Sequence, residues 1–430
     1  MDITEVDCQQ FIAILEEELV PALGCTEPIA IAYAGAHARA LLGKIPDRVD
    51  IKSSGNIIKN VKSVTVPNSG NLKGIPAAAA IGIIGGNPEK GLEVLADVTE
   101  EDRIQTKLFL QEVPCKVSLL HSTASLHFIV EVFAGEESAS VEIVHQHTNI
   151  VRTMKNGRDV INIPFDPNSA NAALTDRSGL SVKKILAFAD TVDIDRVRTV
   201  LERQIEYNTR IAHEGFEQSY GINAGSNLLE AAQAENAVSF KIRAQAAAAA
   251  GSDARMSGCT LPVVTNSGSG NQGLTVSLPV IVFAEEKKLP HDRLLRGLIV
   301  SNLLAIHQKT RIGRLSAYCG AVSAACGSGA AVTYLSGGSY EQICETITNT
   351  LAVVSGIVCD GAKPSCASKI ATAVDAAINA HNLAMKNKVF LAGEGIVKDT
   401  VEKTIAGVGS IAADGMRETD KVILNIMVDD

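Results

Sequence analysis

Apolar residues recur at i, i+3 and i+4 through residues 4–22 and again through the Ala-rich stretch 28–43, which predicts two amphipathic helices on either side of the segment GCTEP. The period then changes. From Arg48 to Val66, and through the run CKVSLLHSTASLHFIVEVFAGEESASVEIVHQHTNIV, Val- and Ile-rich positions alternate with polar ones, the two-residue repeat of half-buried strands joined by short turns. Beyond residue 180 helical spacing returns over 182–191, 194–219, 226–250, 290–309, 340–354 and 366–385. TVSLPVIVFAEEKK, by contrast, reads as a strand-like run interrupted by Pro279. The pattern predicts an α+β fold with an N-terminal mixed α+β domain over 1–178 and a mainly α-helical C-terminal domain over 179–430, divided near the turn-rich span FDPNSANAALTDRSGLS. Two cores are expected in 430 residues, because single hydrophobic cores stop growing at about 250–300 residues.

Composition narrows the partners. An apolar share of 46% with only 4% aromatics and no Trp describes tight Ala/Val/Ile/Leu/Gly packing, part of it expected to face another subunit in a homodimer or larger homo-oligomer. A net charge of −9, without any run of Lys or Arg, offers no field for phosphate backbones, so nucleic acid is not expected as a partner. Stretches such as IPAAAAIGIIGG fall short of the ~20 apolar residues that span a bilayer, and no membrane association is expected. MDITEVDCQQ lacks the basic and apolar regions of a secretory signal, which points to a cytoplasmic protein whose nine cysteines are mostly reduced.

Spacing then decides which thiols carry chemistry. Cys359 and Cys366 lie in VCDGAKPSC; on one helix their Cα atoms would stand roughly 10 Å apart, too far for one small metal cluster. Gly361 and Pro364 argue for a turn that brings the thiols together. Soft thiolates suit zinc or iron–sulfur. No CxxC pair is present, and the wide spacing favours a cluster held from separate loops over a structural zinc site. Cys319 and Cys326 share AYCGAVSAACGSGAA, and either could supply a third ligand, although Cys326, Cys344, Cys115 and Cys8 read most simply as small buried hydrophobes. Cys25, in LGCTEPIA, precedes a helix start that Thr26 caps and Pro28 occupies. A helix N-terminus lowers a thiol pKa, which makes Cys25 a base or nucleophile; a structural thiol beside the cap is the alternative.

Three loops rich in Gly, Asn and Ser can aim backbone amides at a small carboxylate. They are SSGN, with Ser53, Gly55 and Asn56; PNSGN, with Asn68, Ser69 and Gly70; and TNSGSGNQG, with Asn266, Ser267, Gly268 and Asn271. The plainer reading makes them turns. GSGNQG also fits G-x-G-x-x-G, but the strand-like run after it and Lys288 argue against the βαβ unit and acidic residue that NAD binding requires. His145 and His147 fall on one face of a predicted strand and read as hairpin polarity.

In combination, LGCTEPIA, SSGNIIKNVKSVTVPNSGNLKG, DARMSGC, TNSGSGNQG, YCGAVSAACG and VCDGAKPSCASK run in the same order, nearly end to end, as in the L-cysteine desulfidase family. The chain resembles that family, which is related to the iron–sulfur L-serine dehydratases. The resemblance implies a 4Fe-4S cluster held by Cys319, Cys359 and Cys366, with Cys25 at the family's further functional cysteine. It also implies the reaction: a small amino-acid substrate, L-cysteine, reacts with water to give pyruvate, ammonia and hydrogen sulfide, with no pyridoxal phosphate and no NAD. Many serine dehydratases place a cysteine near their C-terminus on the cluster. This sequence ends KVILNIMVDD, so one iron is expected to keep an exchangeable position and act as a Lewis acid. On this reading Cys25 takes the α-proton, Lys59 is the reserve base, and the NSG and SGN loops receive the substrate's carboxylate and ammonium. Serine dehydration on the same cluster and a non-catalytic iron–sulfur sensor are the alternatives, and a nicotinamide-dependent oxidoreductase rests on GSGNQG alone.

Overall fold

The computed structural model describes residues 3–167 and 174–428, so the centre of the predicted boundary span, 168–173, lies outside the described residues. The fold is α+β, with an N-terminal α/β region and a largely helical remainder. Helix α1 (Glu5–Glu18) is opened by a capping box between Thr4 and Asp7. A short strand β1 (Pro21–Leu23) leads into helix α2 (Thr26–Leu42), and strand β2 (Arg48–Ser53) follows. The alternation from Arg48 to Val66 gives a strand only as far as Ser53: Gly55–Val61 is helix α3, a correction to the strand expectation. Helices α4 (Gly74–Gly85) and α5 (Glu100–Glu112) precede strands β3 (Cys115–Leu119), β4 (His127–Ala134), β5 (Glu137–Val144), β6 (Ile150–Lys155) and β7 (Arg158–Asn162).

These strands form a six-stranded sheet in the order β3-β2-β4-β5-β6-β7, parallel between β2 and β3 and antiparallel elsewhere. The register sets Ile51 opposite Val130 and Val130 opposite Val141, so every second side chain faces the same way. Val49, Ile51, Phe128, Val130, Val132, Val141 and Ile143 bury that face against α2, whose Ile29 and Ile31 join the same core. Each fully buried side chain of this kind stabilises by about 1.5–3 kcal/mol. Helix α4 lies against α2 closely enough that a Cβ on Gly82 would collide with the Ala32 carbonyl.

The second core is helical: α6 (Val182–Thr191), α7 (Asp195–Glu217), α8 (Ala224–Ala234), α9 (Phe240–Met256), strand β8 (Pro262–Val264), α10 (Gly270–Glu286), α11 (His291–Ile312), α12 (Ala321–Leu335), α13 (Tyr340–Val353), α14 (Ser365–Ala384), α15 (Val401–Ser410) and α16 (Met416–Val428). The helix expected over 226–250 is two helices, broken near Asn236, whose φ is +54°. The strand-like reading of TVSLPVIVFAEEKK is also corrected, because this segment is the body of α10 with Pro279 inside it. Leu274, Val276, Leu278, Val280 and Ile281 are all buried there. A helix buried on every side shows no period, and burial of those residues outweighs the ~3 kcal/mol that an interior proline costs. Helix α1 packs into this second core, with Phe11 edge-on to Phe188 at 5.4 Å. β1 pairs antiparallel with β8, Pro21 opposite Val264 and Leu23 opposite Pro262, and this ribbon pins GCTEP beside TNSGSGNQG. Among the described residues no helix is long and apolar enough to cross a membrane.

Candidate active site at the seam of the two cores

The thiols come first. Tyr318 and Val358 form an isolated antiparallel bridge, flanked by hydrogen bonds from Cys319 N to Ile357 O and from Cys359 N to Ala317 O, both 2.7 Å. Cys319 and Cys359 are thereby diagonal neighbours on one face of that bridge, a separation of about 7–8 Å between Cα atoms. The chain then turns, with Gly361 at φ +93°, and Cys366 enters the first turn of α14. Burial pushes the Cys319 thiol up to about 12, and Cys359 and then Cys366 add to that rise, so the three thiols act on one another. Cys326 stands apart, fully buried in the helical core with its Sγ 3.9 Å from the Ile347 carbonyl. Among the described residues no three His, Cys, Asp or Glu side chains are arranged to hold a single metal ion.

Cys25 packs with Val64, Met256, Ala362 and Cys366. It is the N-cap of α2 and only 2% exposed. The expectation of a lowered thiol pKa is overturned: burial pushes Cys25 well up, and the Glu27 carboxylate pushes in the same direction. Desolvation and a neighbouring anion outweigh the partial positive charge of a helix terminus. The thiol donates to Glu27 Oε2 at 3.1 Å, and Glu27 also accepts from Thr26 Oγ1 at 3.2 Å and Asn60 Nδ2 at 3.3 Å. His147 Nε2 lies 3.9 Å from Glu27 Oε1, beyond hydrogen-bond range. Burial works against the charge of Glu27, yet His147 and the Cys25 S–H bring its pKa down to about 2.

His147 therefore departs from its sequence reading. β5 ends at Val144, His145 turns the chain at φ +68°, and His147 points inward with a carboxylate beside it, so the two histidines do not share a strand face. His145 instead binds the Asp166 carbonyl through Nε2 at 2.8 Å.

The loop TNSGSGNQG crosses the site. Ser267 and Gly268 have φ of +51° and +75°, Asn266 Nδ2 reaches Asn302 Oδ1 at 3.0 Å, and Ser267 Oγ donates to Asn266 Oδ1 at 2.9 Å. The Gly268 carbonyl accepts from Thr26 Oγ1 at 3.1 Å. Asn271 Oδ1 accepts from Ser252 Oγ at 3.2 Å. A Cβ on Gly268 would meet Arg314 Nη1 at 2.6 Å and His147 Cε1 at 3.3 Å; one on Gly270 would strike Arg255, and one on Gly320 would strike Gln272. Gln272 thus links the loop to the segment carrying Cys319. GSGNQG opens a helix after a strand, but β8 pairs antiparallel with β1, so the hexapeptide does not sit in the βαβ unit of a dinucleotide site.

The other two loops differ. Ser53 and Asn56 are buried or half-buried, and Ser53 Oγ and Asn56 Oδ1 have no hydrogen-bond partner among the described residues. Gly55 opens α3 against Leu424 of α16. Lys59 is 3% exposed and its Nζ is ion-paired with Asp420 of α16, beside a cavity of about 630 Å³ lined by Ser54, Asn56 and Ser316. In PNSGN, by contrast, Asn68 Nδ2 binds the Leu95 and Val98 carbonyls, Arg103 holds the Asn68 carbonyl and side chain, and Ser69 Oγ binds Val66 O at 2.7 Å. Gly70 is exposed. That loop's polar groups are occupied within the N-terminal core, and it approaches Cys25 through Pro67, which lies against Gly24.

Around Glu27 and this loop, Asn60 Oδ1, His147 Nε2, Arg255 Nε, Gln272 Oε1 and Arg314 Nε are buried with no hydrogen-bond partner among the described residues. Each such atom costs about 1–3 kcal/mol if nothing satisfies it, which makes this the candidate place for a polar ligand. Glu27, Asn60, His147, Arg255, Gln272 and Arg314 were not singled out from sequence. Glu27 and Arg255 stand inside GCTEP and DARMSGC, where a signal existed; Arg314 carries none. One further cation is present. Lys309, in the last turn of α11, is 4% exposed, burial draws it down to about 8 while Cys359 and Cys319 oppose that fall, and its ammonium makes no hydrogen bond or ion pair among the described residues.

Similar proteins span the chain. A UPF0597 protein of Treponema denticola is 56% identical over 98% of both chains. One of Lachnoclostridium phytofermentans is 57% identical over 98% of this chain and 99% of its own length, and one of Shewanella putrefaciens is 38% identical over 97% and 98%. The family model described as serine dehydratase alpha chain matches residues 89–425, which takes in His147, the 265–273 loop and the bridge that carries Cys319 and Cys359. That match covers well over half of the sequence, and the chain belongs to the serine dehydratase alpha chain family.

Proposed function

We propose that this protein is an iron–sulfur-dependent lyase acting on a small amino acid, and that its substrate is L-cysteine, converted with water to pyruvate, ammonia and hydrogen sulfide. The observation that supports this most directly is the meeting of Cys319, Cys359 and Cys366 beside the buried pair Cys25 and Glu27. The family implies a 4Fe-4S cluster in general terms, and the donor set suits one in kind: three thiols, two beside the Tyr318–Val358 bridge and one in the first turn of α14. Cys319, Cys359 and Cys366 would hold it. When bound, the cluster supplies an electrophilic iron that draws off the departing sulfur.

The chain's own residues do the rest. Asn266, Ser267, Gly268 and Asn271, with Arg255 and Arg314 alongside, receive the substrate carboxylate; Ser53, Gly55 and Asn56 face its ammonium. Asn68, Ser69 and Gly70 act at one remove, by setting Pro67 against Gly24. Glu27 orients the Cys25 S–H, and Cys25, once deprotonated, takes the α-proton of cysteine. The freed electron pair forms the Cα=Cβ bond as the C–S bond breaks and sulfur leaves as HS⁻. The released 2-aminoacrylate tautomerises to an imine, water adds, and ammonia departs to leave pyruvate. Lys59, held by Asp420, is the reserve base.

Serine dehydration is the second reading, favoured by the description of the matching family. An anaerobic assay of reconstituted protein separates the two: sulfide and pyruvate from L-cysteine with the higher kcat/KM support the proposal, and higher turnover of L-serine reverses the assignment. Cluster-containing protein inert toward both amino acids would be a binding or sensing protein instead.

A further inference from the structure

We infer that Arg255 and the first turn of α10 form an anion receptor that selects small molecules by their carboxylate, so that the keto-acid product competes with the amino-acid substrate for it. The inference rests on the lyase reading and names the class of molecule that the same site takes. Arg255 stands in the last turn of α9 and is 3% exposed. A guanidinium taken out of water is costly unless an anion faces it, and this one makes no hydrogen bond or ion pair among the described residues. The partial negative charge at the end of α9 offsets only part of it. The carboxylates of the site are engaged elsewhere. Asp253 lies about 200° round the helix from Arg255, and its Oδ2 accepts from Gly225 N at 3.0 Å. Glu27 accepts from Cys25, Thr26 and Asn60, and Glu18 from Arg177 and Arg314. Arg255 instead lies against Gly270, where a Cβ would come within 2.8 Å of its Cζ. Gly270 opens α10, and the first amides of a helix have no partner inside it. Ser269 Oγ takes Gln272 N at 3.5 Å and Ser269 O takes Gly273 N at 3.0 Å, which leaves the amides of Gly270 and Asn271 without a partner among the described residues. An unpaired guanidinium and two unpaired amides thus lie side by side at one helix N-terminus, and the two oxygens of a carboxylate satisfy both. Cysteine and pyruvate each carry that carboxylate.

The test titrates pyruvate by calorimetry into wild type and into Arg255→Met, Arg255→Gln and Arg255→Lys, each reconstituted anaerobically, with the unfolding temperature as a second readout. Pyruvate should bind wild type and raise its unfolding temperature. Met and Gln should weaken that binding about thirtyfold or more, and Lys by less, because it keeps the charge but not the fork. Pyruvamide, which lacks the charge, and inorganic phosphate at equal ionic strength should both bind more weakly than pyruvate. Without ligand, the Met variant should unfold at or above the wild-type temperature, because an unpaired buried charge has been removed. No pyruvate binding by wild type, equal affinity in wild type and both the Met and Gln variants, or pyruvamide or phosphate binding as tightly as pyruvate would overturn the inference. Pyruvate binding that depends on Arg255, in a protein that turns over neither cysteine nor serine, supports the receptor and sinks the lyase reading beneath it.

Discussion

At the scale of single residues, Cys25 and Cys359 stand on opposite sides of a chemical divide. Cys25 is a protonated thiol tied to Glu27, whereas Cys359 lies among thiols and raises the pKa of Cys319 and Cys366. Cys359→Ala should therefore abolish both bound iron and turnover, while Cys25→Ala should leave iron unchanged and lower kcat by about 10²–10⁴-fold, the range of a lost proton-transfer group. Iron analysis beside steady-state kinetics checks both, and full activity in Cys25→Ala removes it from the mechanism. That these cysteines lie outside helix interiors was legible because GCTEP and VCDGAKPSC break regular structure. The protonation state of Cys25 was not, since its burial depends on the distant pairing of β1 with β8. His147 was hidden by a two-residue period that ends one turn too early, at Val144.

At the scale of elements, helix contacts carry two further expectations. Gly82 of α4 faces the Ala32 carbonyl of α2 with no room for a Cβ. Gly82→Ala should cost about 1–3 kcal/mol by overpacking, read as a fall in the urea unfolding midpoint without change in m. Helices α12, α13 and α14 meet at Thr333, Thr346 and His381, where Thr333 Oγ1 lies 2.8 Å from Thr346 Oγ1 and 2.9 Å from His381 Nδ1. Burial lowers the His381 pKa from 6.5 to about 4. Because the folded imidazole resists protonation, the unfolded chain gains protons first as pH falls below 6.5, and stability is lost progressively toward pH 4, by up to about 3 kcal/mol. Urea titrations at pH 7 and pH 4.5 test this, and His381→Leu should flatten that component. The helices of the second half were legible wherever one face stays wet, as in α6 and α7. α10 was not, because its apolar residues run all the way round and leave no period to read.

At the scale of the whole molecule, the candidate site belongs to neither core alone. Cys25, Glu27, Asn60 and His147 come from the first 150 residues, and Arg255, Gly268, Arg314 and the three clustered thiols from the rest. The α+β division was legible from the change of period near residue 180. That α1 packs with the helices that follow the sheet was not, since an amphipathic stripe announces a helix but not its partner. The ribbon joining Pro21 to Val264 has a consequence for how the protein is made. During synthesis, GCTEP leaves the ribosome well before its partner strand exists, a delay of about 10–50 s at 5–20 residues per second, and the VCDGAKPSC thiols emerge later still. Throughout that interval Cys25 is without its shelter, so the cluster proposed above would assemble only after most of the polypeptide has been made, and this thiol is more open to oxygen in the nascent chain than in the folded protein.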